Sequence, residues 1–230
     1  MAGVSRLQYT TEMRLIRVMC SGRVDMSFVL RAFSKGADGV FVGACHLSEC
    51  NYITHGNYHT LNMVLLLRKV LEQMEINPER LRMSFMSGSE ANLFVEHVND
   101  FVKKVKELGP LGKSEEIDPE IMKFRLNTAT KLIPYIRLVE RERLRAPVMS
   151  EEEYYKFFAS EGLGKLFNET IVEKLAIGQI VSLLKGGPLT TAEIATGIGL
   201  TPSEVSKHLN SSSRQRLVRY DTEQNRYALA

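Results

Sequence analysis

The sequence predicts an α/β fold, a parallel sheet with helices packed on it, followed by a helical linker and a C-terminal winged-helix domain. Three observations carry this prediction. Strand-like and helix-like patterns alternate up to residue 108, a polar break occupies residues 110–118, and the last forty residues order helix, turn, helix and hairpin. These divide the 230 residues into 1–112, 113–187 and 188–230.

Arg14 to Met19 is a short apolar-rich run of the kind a strand makes, and Asp25 is placed to cap a following amphipathic helix that Gly36 ends. Gly39 to Ala44 is nearly all apolar, as a parallel strand covered on both faces should be. A loop carries Cys45 to Asn57, and apolar positions Leu61, Val64, Leu65, Val70 and Leu71 predict a helix over 58–74. Leu81 to Met86 reads as a third strand, and Glu90 to Leu108 as an amphipathic helix stopped by Gly109-Pro110. This order implies right-handed crossovers and a parallel sheet. Pro119 to Arg145 is helical in pattern, with Pro134 expected to kink or split it and Glu140 to Arg143 expected to form a solvated face. Ser150 before three glutamates starts a helix, and another spans about Lys165 to Lys185. Thr201, Pro202 and Glu204 form a capping box ahead of Val205 and Leu209, and residues 217–229 read as a hairpin. Helix, turn, helix and hairpin together make the winged helix.

A net charge of +3 does not by itself point to nucleic acid, and 44% hydrophobic residues suffice for a core. Three cysteines make an odd count, which fits a reducing compartment better than a disulfide framework. No apolar run has the length of a spanning helix, and no basic patch leads into an apolar stretch at the start. A soluble, cytoplasmic protein is expected. Neither a dinucleotide nor a phosphate-loop glycine motif is present, and no serine, histidine and acid group stands out, so a catalytic role is not indicated.

Cys20, Cys45 and Cys50 fall where apolar runs hand over to Gly, Ser and Asn, at the rim where ligands of parallel sheets bind. Thiolates gathered there point to a metal or iron-sulfur site. His46 and Glu49 lie between two of these cysteines. Gly22 and Gly43 are placed to allow close backbone approach, an ordinary turn being the alternative. His55 and His59 read as structural or surface groups, with no carboxylate partner at metal spacing.

The runs Ser5-Arg6-Leu7-Gln8-Tyr9, Ile16 to Asp25, Gly36 to Val40, Cys45-His46-x3-Cys50-x-Tyr52, Gly56-Asn57-Tyr58, Asn77 to Leu81 and Lys106 to Pro110 occur in order over roughly half the chain. With the spacing Cys20-x24-Cys45-x4-Cys50, residues 5–111 resemble the delta subunit of methyl-viologen-reducing hydrogenase, an iron-sulfur protein. The resemblance implies a 2Fe-2S cluster on Cys20, Cys45 and Cys50, tuned by the flanking Arg23, His46 and Asn51. It also implies electron relay between a hydrogenase or formate-dehydrogenase module and a heterodisulfide-reductase-like flavin subunit. The family pattern includes a cysteine-bearing segment upstream of the Ser5 match, and the sequence in hand starts at Met1 without it. A cluster wants four ligands. The start being truncated or miscalled, a ligand such as His46 or Glu49, or a cluster-free docking scaffold all accommodate three cysteines.

The winged helix resembles bacterial and archaeal transcription regulators, in which the helix corresponding to 203–213 enters the major groove. From Pro188 onward, Lys207, Arg214, Arg216, Arg219 and Arg226 face Glu193, Glu204, Asp221 and Glu223, a balance of about +1. That near-neutrality favours protein docking over DNA binding. The leading expectation is an electron-transfer subunit that converts no substrate itself. A redox-responsive winged-helix transcription regulator is the alternative from a different class.

Overall fold

The computed structural model describes residues 6–52, 54–146 and 150–230. Ser5, the first residue of the Ser5 to Tyr9 run, lies outside them. Helix α1 spans Met26–Ser34, and Asp25 caps it by accepting the Ser27 N–H. Strand β1 (Val40–Ala44) leads through the cysteine loop into helix α2 (Asn57–Gln73), which crosses back to strand β2 (Leu81–Phe85). The strands pair in parallel, Val40 opposite Leu81 and Ala44 opposite Phe85. Leu61, Met63 to Leu67, Val70 and Leu71 of α2 are all buried, so this helix is enclosed on every side, as a central core helix should be. Helix α3 (Ala91–Leu108) covers β1.

One predicted strand is absent. Arg14 to Met19 forms neither helix nor strand, and the parallel sheet of the described residues has two members. Leu15, Ile16 and Met19 are 66%, 83% and 93% exposed. A strand needs a neighbour to take its backbone hydrogen bonds, and this segment has none in the structure. Cys20 therefore does not end a strand. It caps a single 3₁₀ turn, Ser21–Arg23, which packs on α2 and β1.

Helices α4 (Pro119–Arg143), α5 (Glu151–Ala159) and α6 (Glu161–Phe167) follow. Ser150 and Glu153 make a reciprocal capping box on α5. Pro134 does not divide α4. It lies on an exposed position, where water can take the carbonyl that the ring leaves without an amide partner. Glu140 also departs from expectation. Arg141, Glu142 and Arg143 are exposed, but Glu140 is 4% exposed and accepts a 2.8 Å bond from Asn62 Nδ2. The helix expected from Lys165 is interrupted by a π turn, Asn168–Val172, before helix α7 (Glu173–Leu184).

Helices α8 (Thr191–Ile198) and α9 (Pro202–Arg214) each begin with a capping box, and antiparallel strands β3 (Val218–Asp221) and β4 (Arg226–Leu229) complete the winged helix. Gly199 makes the turn between the helices in the left-handed conformation. One core of buried apolar residues runs from Met26 to Leu175 and a second from Ile180 to Val218, so α7 contributes to both. The α4 helix thus shares the core of the strand-bearing region. Across the polar break, fully buried Arg80 bonds Glu115 at 2.6 and 3.1 Å and the carbonyls of Asp38, Leu108, Gly109 and Pro110. No described helix is long and apolar enough to cross a membrane.

Candidate iron-sulfur site

The three cysteines lie on three loops of one region. Cys20 caps the 3₁₀ turn, Cys45 follows β1 directly, and Cys50 closes a second 3₁₀ turn, Leu47–Glu49, ahead of α2. All three are free and half-buried. Cys50 Sγ donates to the Tyr52 carbonyl at 3.6 Å. Two glycines allow the close packing of this region. A Cβ at Gly56 would lie 2.2 Å from Cys50 Sγ, and one at Gly22 would lie 2.1 Å from the His55 carbonyl oxygen. Gly43 has no such role, since its Cβ would approach nothing closer than Phe41 at 3.7 Å. The approach made by Gly22 is to backbone.

Two of the sulfurs meet an N–H donor. The Gly22 N–H donates to Cys20 Sγ at 3.4 Å and Asn57 Nδ2 donates to Cys45 Sγ at 3.5 Å. Asn57 opens α2, so the positive end of a 17-residue helix faces the thiols. Burial pushes the Cys50 thiol up, but the Asn57 and Tyr52 backbone and the neighbouring thiols outweigh it and leave Cys50 below the ordinary thiol value. Cys45 is pushed up by burial and by the charges of Cys50 and Cys20.

His46 sits beside this group with its Nε2 held by Glu90 Oε2 at 2.7 Å. That hydrogen bond raises its pKa, and with Nε2 held by a carboxylate, Nδ1 is the ring nitrogen that would face a metal. Glu49 is exposed, as are Arg23 and Asn51, and no described hydrogen bond joins any of the three to a cysteine sulfur. His55 is exposed and bonded to Thr54. His59 has the carboxylate partner that local spacing did not reveal, Glu140 at 3.7 Å from helix α4.

Two described side-chain atoms are buried without a partner, Ser21 Oγ and Asn57 Oδ1, and both belong to residues that adjoin the cysteines. Asn57 was missed as a site residue by sequence reasoning, although it lies in the Gly56-Asn57-Tyr58 run. Among the described residues, no set of three or more His, Cys, Asp or Glu side chains is arranged to hold a metal ion. The donor chemistry, three free thiols with N–H donors at Cys20 and Cys45, suits an iron-sulfur group. A finished coordination geometry is not part of this structure.

Residues 1–109 match the family described as methyl-viologen-reducing hydrogenase, delta subunit. The iron-sulfur protein of the vhc F420-non-reducing hydrogenase of Methanococcus voltae is 46% identical over 114 residues, 50% of this chain and 78% of that relative. The chain belongs to this delta-subunit family. Another relative, the iron-sulfur protein of the F420-non-reducing hydrogenase of Archaeoglobus profundus, is 44% identical over 110 residues, 48% of this chain and 80% of the relative. The delta-subunit region is also 43% identical over 112 residues to one subunit of the ferredoxin/F420H2-dependent CoB-CoM heterodisulfide reductase of Methanosarcina acetivorans. That match takes in 49% of this chain but 14% of the reductase subunit. Beyond the delta-subunit region, residues 179–220 match the family described as bacterial regulatory protein, arsR family.

Proposed function

We propose that this chain is an electron-transfer subunit in which Cys20, Cys45 and Cys50 hold a 2Fe-2S cluster. The donor would be a hydrogenase- or formate-dehydrogenase-like module and the acceptor a heterodisulfide-reductase-like flavin subunit. The observation that carries the reading is three free thiols on separate loops of one region, with Cys20 and Cys45 accepting from N–H donors. Bound there, the cluster supplies one-electron relay chemistry. The protein's own part is to collect the thiols, stabilise negative charge on them through Gly22, Asn57 and the start of α2, and keep the rim open to a partner. Support for the acceptor comes from the Methanosarcina acetivorans relative, in which a similar stretch lies within the chain of a heterodisulfide reductase subunit itself. A module joined covalently to that subunit in one protein is suited to dock on it in another.

Anaerobic isolation of the full chain should yield iron and inorganic sulfide, both lost in Cys45→Ser. Iron content unchanged by that substitution would overturn the site. Co-purification should recover a flavin-containing partner, and recovery as an isolated monomer at low salt would count against the docking role.

One observation favours a second reading, a redox-responsive DNA-binding regulator. Ser203, Ser206, Lys207, Asn210, Ser213 and Arg214 form a continuous exposed stripe on α9, small polar groups with two cations, a composition suited to base edges and phosphates. Footprinting on the promoter of its own operon at physiological salt tests it, with a specific footprint lost in Lys207→Ala as the supporting result.

A further inference from the structure

We propose that Asn57 is the positioning residue of the cysteine site, holding the turn that carries Cys45 in place and stabilising negative charge on the Cys45 sulfur. The inference rests on the iron-sulfur reading and adds a residue that no cysteine spacing identifies.

Asn57 is 0% exposed and opens α2 immediately after the glycine that touches Cys50. Its Nδ2 faces three acceptors, the Cys45 carbonyl at 2.9 Å, the His46 carbonyl at 2.7 Å and Cys45 Sγ at 3.5 Å. An amide group carries two hydrogens, so the two carbonyls fix the orientation and the sulfur shares one of them. Reversing the amide would set its oxygen against all three acceptors, which settles which end points where. The carbonyl bonds anchor the turn that leaves β1. One side chain thus ties the start of α2 to the turn that carries Cys45.

A second observation separates this role from ordinary bracing. Buried amide oxygens in a finished core are hydrogen-bonded. Asn57 Oδ1 is buried with no partner, and so is Ser21 Oγ beside Cys20. A residue serving only the local fold would have both ends satisfied. The unpartnered atoms adjoin the thiols and equip the site for a polar group brought in with the ligand. Ser21 Oγ can donate to a cluster sulfur, and Asn57 Oδ1 can accept from a water or N–H that accompanies the ligand.

Donors aimed at thiolate sulfur withdraw electron density and favour the more negative, reduced state of an iron-sulfur centre, so their loss should lower its potential. The test uses the full chain under anaerobic conditions, as wild type, Asn57→Ala and Asn57→Ser. Cobalt(II) is titrated into the metal-free protein and followed by thiolate-to-cobalt absorption. In parallel, the reconstituted iron-sulfur protein is poised in a redox titration, and far-ultraviolet circular dichroism monitors folding. Asn57→Ala should keep the helical signal, bind cobalt at least tenfold more weakly and lower the potential by about 59 mV, which is a tenfold change for one electron. Serine, which restores one donor, should recover part of both effects. Wild-type cobalt affinity and an unshifted potential in Asn57→Ala would overturn the proposal while leaving the iron-sulfur reading intact. A wild type that takes up no iron yet binds cobalt in an Asn57-dependent way would sink that reading and uphold the role of Asn57. A loss that tracks loss of helical signal, without rescue by serine, would reduce Asn57 to a structural brace and refute the proposal.

Discussion

Replacing Gly56 with alanine tests the geometry of the cysteine site most directly. The added Cβ would stand 2.2 Å from Cys50 Sγ and 2.6 Å from the Tyr52 carbonyl oxygen. Non-bonded heavy atoms rest at about 3.5 Å or more, so Cys50 must retreat by about 1.3 Å. The atoms in the way are backbone and a short side chain at the start of α2, and neither can swing aside as the end of a long side chain can. Overpacking of this kind costs about 1–3 kcal/mol, and here it acts on the loop that carries a thiol. Gly56→Ala should therefore lower both the denaturation midpoint and the iron and sulfide content after anaerobic reconstitution. Gly43→Ala is the matched control. Its Cβ meets Phe41 at 3.7 Å and Met86 at 3.9 Å, which is ordinary contact, so loading and stability should match wild type. Equal iron content and equal midpoints in the two variants would refute the close packing of Gly56 on Cys50.

Arg80→Met should destabilise the first core by about 3–5 kcal/mol in urea denaturation, because it leaves Glu115, with a side chain 4% exposed, as a buried carboxylate without its partner; recovery is expected on adding Glu115→Gln. Burial pushes the Glu115 pKa up, but the Arg80 bond and the Asn77 N–H outweigh it and hold the group below the ordinary carboxylate value. This contribution is thus complete above about pH 4.3 and lost as pH falls through the folded value, and a wild-type acid limb identical to that of the double variant would refute it. Glu90→Gln should bring the His46 titration, followed by NMR, down towards about 6.5, since the Glu90 hydrogen bond is the main cause of its raised pKa. The His46 contribution to stability is present below that value and fades as pH rises through the folded one; an unmoved His46 would contradict the ion pair. Truncation before Pro188 should uncover Ile180 and Leu184, which are 0% and 4% exposed, and cause association on size-exclusion chromatography. A monodisperse truncated chain would show that α7 does not depend on the winged helix.

Local patterns revealed most of the elements, because caps and apolar periodicity act within a few residues. The capping boxes at Ser150 and Thr201 and the stop at Gly36 are legible for that reason. The Arg14 to Met19 run shows the limit of such patterns. A strand is made by its neighbour, and apolar composition does not supply one. Glu140 read as surface because its partners, Asn62 and His59, lie about eighty residues away. Cys45 does follow a strand as its pattern indicated, whereas Cys20 was placed by a strand that does not form and Asn57 had no chemical signature. Only the folded arrangement shows an ordinary helix-start residue donating to the carbonyl and the sulfur of Cys45.

Because α7 seats Leu175 in one core and Ile180 in the other, it acts as a crank between the cysteine region and the winged helix. Each residue of an α-helix turns about 100° and advances about 1.5 Å. One alanine inserted between those two positions would swing the α9 stripe a quarter-turn or more around the axis while adding almost no length. A partner that must touch the cysteine rim and the α9 stripe together would then meet them on different sides. Bivalent attachment depends on such phasing, and helical phase along α7 separates a partner that grips both surfaces from two partners that each grip one.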